Sequence, residues 1–344
     1  MRYARGARAP RTRSHRAYST TNAKPRLSAV LRMAEPTCWL SQWGADGVGH
    51  QLFGMLTLLA LDNVSMAGQR LRYACSASNV RRHFAHLTHR TSGPVQDYVQ
   101  GSLNRFCSKH APTPKSDIHG KIVRLPKEKY NRGWQPLPCS NGTVYVLDQA
   151  LYSTLAVGLS TVRDELRRAF LPGLGSAPPR FAAPSGDPRS VRHAVIHVRL
   201  GDATNRGQNP HAHQLLAQLI QKLWQLADRQ RNVLRIWIHT DSPHAREVRE
   251  ATEHGNVTVC DGKVCGASVL DALRDMAYAD WLVTADSALS WFAAWINARA
   301  SLIAAPSTTW HPAFATANRT CLPEGTLTYD ELVGASQPPS ESNS

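Results

Sequence analysis

Four short segments of the chain place chemistry-bearing side chains where an apolar run ends. Asp46–Phe53 (DGVGHQLF) puts Gly47 and Gly49 between a predicted strand and a predicted helix. Glycine lets the backbone approach a ligand closely, and a helix N-terminus favours an anion. A plain tight turn is the alternative. Val195–Asp202 (VIHVRLGD) is a hydrophobic strand ending in His197, Arg199 and Asp202. Alternation puts His197 and Arg199 on one face, opposite Ile196 and Val198. A guanidinium there suits bidentate phosphate binding, whereas a salt bridge to Asp202 is the purely structural use. Trp237–Pro243 (WIHTDSP) again runs from strand to helix. Thr240, Asp241 or Ser242 is expected to cap that helix with Pro243 in its first turn. An acid at a strand end is also where a ribose or a base amine is held. Thr284–Trp295 (TADSALSWFAAW) sets Ser287 and Ser290 at a helix start, where hydroxyls and free N–H groups make an anion pocket. Capping by Asp286 or Ser287 is the alternative, and Trp291, Phe292 and Trp295 are expected in the core.

The elements that must position these segments alternate strand and helix. Strands are predicted at 38–43, 70–75 and 143–147, with a helix at 50–64. The stretch 92–141 is polar, broken by proline and weakly patterned. Leu171–Arg189 is dense in proline and glycine and reads as a boundary. Beyond it, strands at 194–198, 233–238, 257–260, 281–284 and 301–304 alternate with helices at 210–231, 243–254, 267–279 and 287–298. The helix at 210–231 carries Leu215, Leu216, Leu219, Ile220, Leu223 and Leu226 on one stripe. Strict alternation predicts parallel sheets covered on both faces, hence an α/β fold of two doubly wound domains facing a cleft. The expected division is a basic leader at 1–34, an N-terminal α/β domain at 35–175, a C-terminal one at 190–333 and a polar tail at 334–344.

Composition narrows the class. The 344 residues are 42% hydrophobic and 19% charged, too apolar and varied for a disordered chain. The net charge of +15 is uneven: nine of the 40 basic residues lie before residue 34 with no acid, which leaves 31 against 25 acidic in the remainder. A mildly basic fold suits an anionic small molecule as well as it suits DNA. The leader has no apolar stretch of the roughly 7–15 residues a secretory signal needs, and reads as transit-like. The most apolar run, Leu52–Leu61, is about half a membrane span, so no transmembrane segment is expected. Seven cysteines show no second pair to make a zinc site with Cys260 and Cys265, whose C-x4-C spacing can close a small disulfide. No metal ligand is therefore expected. Sequons at Asn63, Asn141, Asn256 and Asn318 favour the secretory lumen, against the organellar reading of the leader.

Taken together and in order, the four segments resemble the alpha-1,2-fucosyltransferases, and more distantly the superfamily with alpha-1,6- and protein O-fucosyltransferases. The family's GGLGNQMF is met by Asp46–Phe53, its HxRRGD by His197–Asp202, its FSDD or TDDP by Thr240–Pro243, and its SNSSFSWWAAWL by Ala285–Ile296, with Trp310 following. The resemblance spans about residues 37–312. It implies a GT-B-like architecture of two Rossmann-like domains, GDP-fucose as donor, inverting transfer to a hydroxyl of a glycan or glycoprotein, no cofactor and no required metal, and a Golgi setting. By the same resemblance, Arg199 clamps the diphosphate, His197 contacts the donor, Asp241 holds guanine or ribose, and Ser287 with Ser290 binds phosphate oxygens. Gly47 and Gly49, in the opening motif, are expected to approach the donor from the N-terminal domain. The sequence does not fix the catalytic base: Asp202 is the first candidate and Asp46 or His50 the next, since the base must reach the acceptor hydroxyl. The chain departs from the family at Leu200, where a second arginine is expected, at His50, at Ser242 and at Asp286. Two other classes compete: a non-catalytic binder of sugar nucleotides or glycans on the same fold, and a nucleic-acid binder acting through the leader.

Overall fold

Two parallel sheets organise the residues that the computed structural model describes, which are 37–42, 52, 56, 70–73, 93–107, 122–125, 144–147, 155–181, 190–200, 210–253, 255–260, 265–266, 268–306 and 322–334. By its contacts the chain divides into two units, Met1–Ala34 and Glu35–Ser344, and everything described below belongs to the second. The first sheet holds β1 (Thr37–Gln42), β2 (Arg70–Tyr73), β3 (Ile122–Leu125) and β4 (Val144–Leu147) in the order β2-β1-β4-β3. Two helices follow its strands, α1 (Pro94–Cys107) and α2 (Leu155–Leu174), and they pack on each other. Both α1 and β3 fall in the weakly patterned stretch, where the sequence predicts neither. The Pro- and Gly-rich segment begins inside α2, which carries Pro172 and ends where Gly175 takes a φ of +77°.

The second sheet holds β5 (Val191–Val198), β6 (Val233–Thr240), β7 (Val257–Cys260), β8 (Trp281–Val283), β9 (Leu302–Ala305) and β10 (Leu327–Thr328), ordered β10-β9-β8-β5-β6-β7. All of its pairings are parallel, and β5 pairs with β6 from Val191 opposite Val233 to Val198 opposite Thr240. The chain builds outward from β5 through β6 to β7, then returns to lay β8 on the other side of β5. This is the doubly wound order, with its reversal between β5 and β8. The expected α/β class is present.

A parallel sheet must bury both faces. On one face Ala194, Ile196 and Val198 of β5 join Ile236, Ile238, Trp281 and Val283 against α3 (Pro210–Arg229), with α4 (Arg246–Thr252) and α7 (Tyr329–Gly334) beside it. The predicted stripe is what α3 turns inward: Leu216, Leu219, Ile220 and Leu223 are buried, and Leu215 and Leu226 pack at its margins. On the other face Val195, Trp237, Leu282 and Ile303 lie in one core with α5 (Val269–Tyr278), α6 (Ala288–Ile296) and α2. Trp291, Phe292 and Trp295 are buried there, as expected, and that core continues to Phe106, Leu52 and Leu56.

The predicted helix over 243–254 starts later, at Arg246, because Ala245 N–H turns back onto the Ser242 carbonyl at 3.1 Å. None of the three predicted caps serves it: Ala245 occupies the N-cap, with no side-chain bond. By contrast α5 opens with a capping box, Ser268 and Asp271 each bonding the other's backbone N–H.

The end of α6 is tied down twice. Arginines of α2 reach its last carbonyls, Arg163 to Ala294 and Trp295 at 3.5 and 3.4 Å, and Arg167 to Asn297. Asn297 itself is fully buried. Its amide donates to the Met276 and Ala279 carbonyls at 2.6 and 3.1 Å and its oxygen accepts from Arg299 and Ala300 N–H at 2.7 and 2.6 Å. Removing it strands four backbone groups in the interior. Asn297→Ala is expected to lower stability by about 3 kcal/mol, read as a shifted midpoint in urea unfolding with an unchanged slope.

Candidate functional site

The carboxyl ends of β8, β5 and β6 bring three of the four sequence segments to one edge of the second sheet. His197 is the penultimate residue of β5, pairs in register with His239 of β6, and Arg199 follows where the strand stops. Thr284–Ser287 leaves β8 on the other side of β5. Asp46, Gly47, Gly49, His50 and Asp202 lie outside the described residues.

Asp241 joins two of these exits. Its Oδ1 accepts from Leu200 N–H at 2.8 Å, across 41 residues, so the carboxylate holds the turn after β5 instead of capping a helix. The Thr240 hydroxyl accepts from Ser242 N–H at 3.1 Å, which closes the turn beneath it. Asp241 itself remains exposed, and Arg199 is half-buried. Leu200, where the resembled family carries its second arginine, is buried in the core against α3.

His197 has a ring nitrogen, Nδ1, that is sealed from water and has no hydrogen-bond partner among the described residues. Burial pushes its pKa from 6.5 to about 4; His239 acts the same way, Asp241 opposes and Arg199 adds. At neutral pH His197 is therefore an uncharged imidazole beside a guanidinium.

The loop after β8 is rigid for identifiable reasons. Thr284 gives both its N–H and its hydroxyl to the Ala304 carbonyl, at 2.8 and 3.2 Å, and its own carbonyl receives the Tyr329 hydroxyl from α7. Ser290 is fully buried, and its hydroxyl is shared between the Ser287 and Ala285 carbonyls at 3.0 and 3.2 Å. Ser290 thus closes the loop from within. Ser287 sits at the N-cap of α6 and its side chain makes no capping bond, so no side chain occupies the first-turn N–H groups from that position.

Beside this edge, on the face covered by α5, lies a polar group that the motifs do not contain. Asp275, fully buried, accepts from His239 Nε2 at 2.7 Å and pairs with Arg180 of the short 3-10 turn Pro179–Phe181. The guanidinium of Arg180 lies over the rings of Trp237 and Phe181, 5.2 and 5.5 Å from their centroids. Phe181 in turn stacks on His193 at 4.6 Å. Cys260, in register with His239, is bonded to Cys265, the small disulfide that their spacing allows. His239, Cys260 and Asp275 offer ligand atoms within 4.8 Å of one another, and all three are buried. No sequence signal marks this convergence, since its members come from two strands, a helix and the supposed boundary segment.

No family model and no curated protein sequence matches the chain. Among solved structures it is similar to the E. coli heptosyltransferase WaaC with ADP, at 14% identity and a TM-score of 0.34, covering 85% of this chain and 92% of that one. It is also similar to the S. aureus MnaA co-structure with UDP, at 10% identity and a TM-score of 0.30, covering 88% and 87%. Neither likeness bears on what this chain does.

The depressed histidines make stability depend on pH. His193, buried behind Trp237, is also pushed from 6.5 to about 4, chiefly by burial, against the pull of Asp280. The unfolded chain takes up these protons first, so the contribution is complete above about pH 6.5 and is lost as pH falls toward 4. Urea midpoints are expected to drop over that window. His197→Gln should flatten the drop, and an NMR titration should find the His197 ring neutral at pH 6.

Proposed function

We propose that the chain is a glycosyltransferase that moves L-fucose from GDP-fucose to a hydroxyl of a glycan or glycoprotein acceptor, with inversion and with no metal at the donor. The observation that carries the reading is the reversal of strand order between β5 and β8, with Arg199 following the one strand and Ser287 following the other. Doubly wound sheets take their ligands outside the carboxyl ends of the strands at such a point. Three of the four motifs that resemble the fucosyltransferases end at that edge, and the residues carrying the opening motif's chemistry lie outside the described residues.

In this reading each group has a physical task. The leaving GDP accumulates negative charge on its diphosphate, and Arg199 and the uncapped start of α6 face that charge. The Ser287 hydroxyl lies beside the same phosphates, and Ser290 acts through the shape of the loop. Asp241, with one oxygen fixed by Leu200 N–H, turns the other toward ribose or guanine. Neutral His197, beside Arg199, contacts the donor without adding charge. Residues 190–333 form the donor side of a GT-B arrangement and 35–175 the acceptor side, with Gly47 and Gly49 at the cleft. Asp202, Asp46 and His50 are the candidates for the base.

One observation favours a second reading, a sugar-nucleotide binder without turnover. The position of the family's second cation is a buried leucine, which leaves Arg199 the only basic side chain of that motif.

Calorimetric titration of the full chain with GDP-fucose, GDP-mannose and UDP-galactose in EDTA separates these outcomes. Micromolar binding of GDP-fucose alone, weakened about tenfold to a hundredfold in Arg199→Ala, is expected. Preference for another nucleotide sugar overturns the donor, and no binding by folded protein overturns the whole reading. Transfer measured on a panel of glycan acceptors then distinguishes enzyme from binder.

A further inference from the structure

The geometry points to a buried, redox-gated tetrahedral metal site made by Cys260, Cys265, His239 and Asp275, fitted to Zn2+ and open only when the Cys260–Cys265 disulfide is reduced. This site is independent of the donor reading, and its four side chains supply a ligand set in which each group has a reason to be there.

The C-x4-C spacing lies within the range that structural zinc sites use for one ligand pair, and such sites take two thiolates with two further N or O ligands. Sequence spacing offers no second pair. The fold supplies one: His239 stands opposite Cys260 in the β6–β7 register, and Asp275 comes down from α5 onto the same spot. His239 Nε2, an Asp275 oxygen and Cys260 Sγ lie within 4.8 Å of one another, and Cys265 Sγ is bonded to Cys260 Sγ at 2.10 Å. Around a zinc ion with ordinary bond lengths, ligand atoms stand about 3–4 Å apart. The imidazole–carboxylate contact of 2.7 Å needs to open by well under an ångström, and reduction lets the sulfurs part.

Two observations favour a cation at this spot. Asp275 is fully buried, yet its Oδ1 has no hydrogen-bond partner among the described residues. A carboxylate oxygen sealed from water without a partner is costly, and it is what a cation would satisfy. The second observation is charge. Zn2+ with two thiolates, one carboxylate and a neutral imidazole carries a net −1, and Arg180, already paired to Asp275 and packed on Trp237, supplies +1. With the disulfide closed, Asp275 and Arg180 form a neutral couple. With it open, the ion, its four ligands and Arg180 sum to zero.

The conversion balances. A dithiol reductant gives two electrons and two protons to the Cys260–Cys265 bond. The S–S bond breaks, two thiols form, and the reductant leaves as its own disulfide. Zn2+ then displaces both thiol protons to solvent and binds the two thiolates.

The test compares the full chain oxidised and after reduction by a dithiol that is then removed. Titration with Zn2+ against a chromophoric chelator is expected to find one tight site in the reduced protein that is absent from the oxidised one. Zinc X-ray absorption should read two sulfurs near 2.3 Å and two N or O ligands near 2.0 Å. Cys265→Ser should weaken Zn2+ by at least about tenfold, and Cys260→Ser/Cys265→Ser, which keeps the other five cysteines, should lose the site. Equal binding by oxidised and reduced protein, a spectrum with no sulfur or four sulfurs, or undiminished binding by the double variant overturns the proposal. The comparison of redox states uses the natural sequence, so it stands even if a variant fails to fold.

Discussion

The reversal of the second sheet depends on how β8 is held against β5, and Asp280 does this. Three residues of β8 pair with β5, a short ladder for the strand on which β9 and β10 are then laid. Asp280 lengthens it: its N–H donates to the His193 carbonyl at 2.9 Å, and its carboxylate accepts from His193 N–H at 2.9 Å. The other carboxylate oxygen pairs with Arg299 at 2.8 Å, and the Asp280 carbonyl receives Ser301 N–H at 2.9 Å. A single buried acid thus sets the register of the strand pair on either side of the reversal. That register fixes how far along the sheet the exit of β8, with Ser287, stands from the exit of β5, with Arg199.

The same economy appears throughout the site, where side chains that look available for ligands fasten one turn to another. Asp241 fastens the exit of β5 to that of β6, Ser290 fastens the start of α6 to the loop before it, and Tyr329 reaches from the last helix to Thr284. Rigid loops on a parallel sheet present backbone N–H groups in fixed directions, which is what an anion site requires. The arrangement resembles a mould more than a cluster of reactive residues.

Much of the second sheet was legible because apolar strands and amphipathic helices alternate there with clear punctuation. Leu216, Leu219, Ile220 and Leu223 recur at helical spacing and are buried as a stripe. Elsewhere the signal was thin. The helix α1 buries Tyr98, Val99 and Phe106 among glutamines, serine and asparagine, and the four-residue β3 is too short to announce itself. Asp241 illustrates a different limit. An acid before a proline at a strand end reads as a helix cap, and only the folded chain brings Leu200 N–H within reach. Arg180 is the sharpest case, since it comes from a Pro-rich segment that reads as a linker and meets an acid 95 residues away. Local pattern encodes elements, whereas a buried polar partner is decided by which elements the topology makes neighbours.

The arginines of α2 that hold the end of α6 have an electrical consequence. A helix behaves like a short bar with opposite partial charges at its ends, and α6, at nine residues, is about 13 Å long. Arg163 and Arg167 sit on its negative end and offset it, while the acid Asp286 stands one residue before the N-cap at the other end. With arginines at its negative end and an acid beside its positive one, the helix projects a weaker field than its nine peptide dipoles would alone. Because α2 follows β4, the potential at Ser287 is set partly by a segment that precedes the whole second sheet in the chain. A sideways shift of α2 alters the potential at Ser287 without moving any residue there.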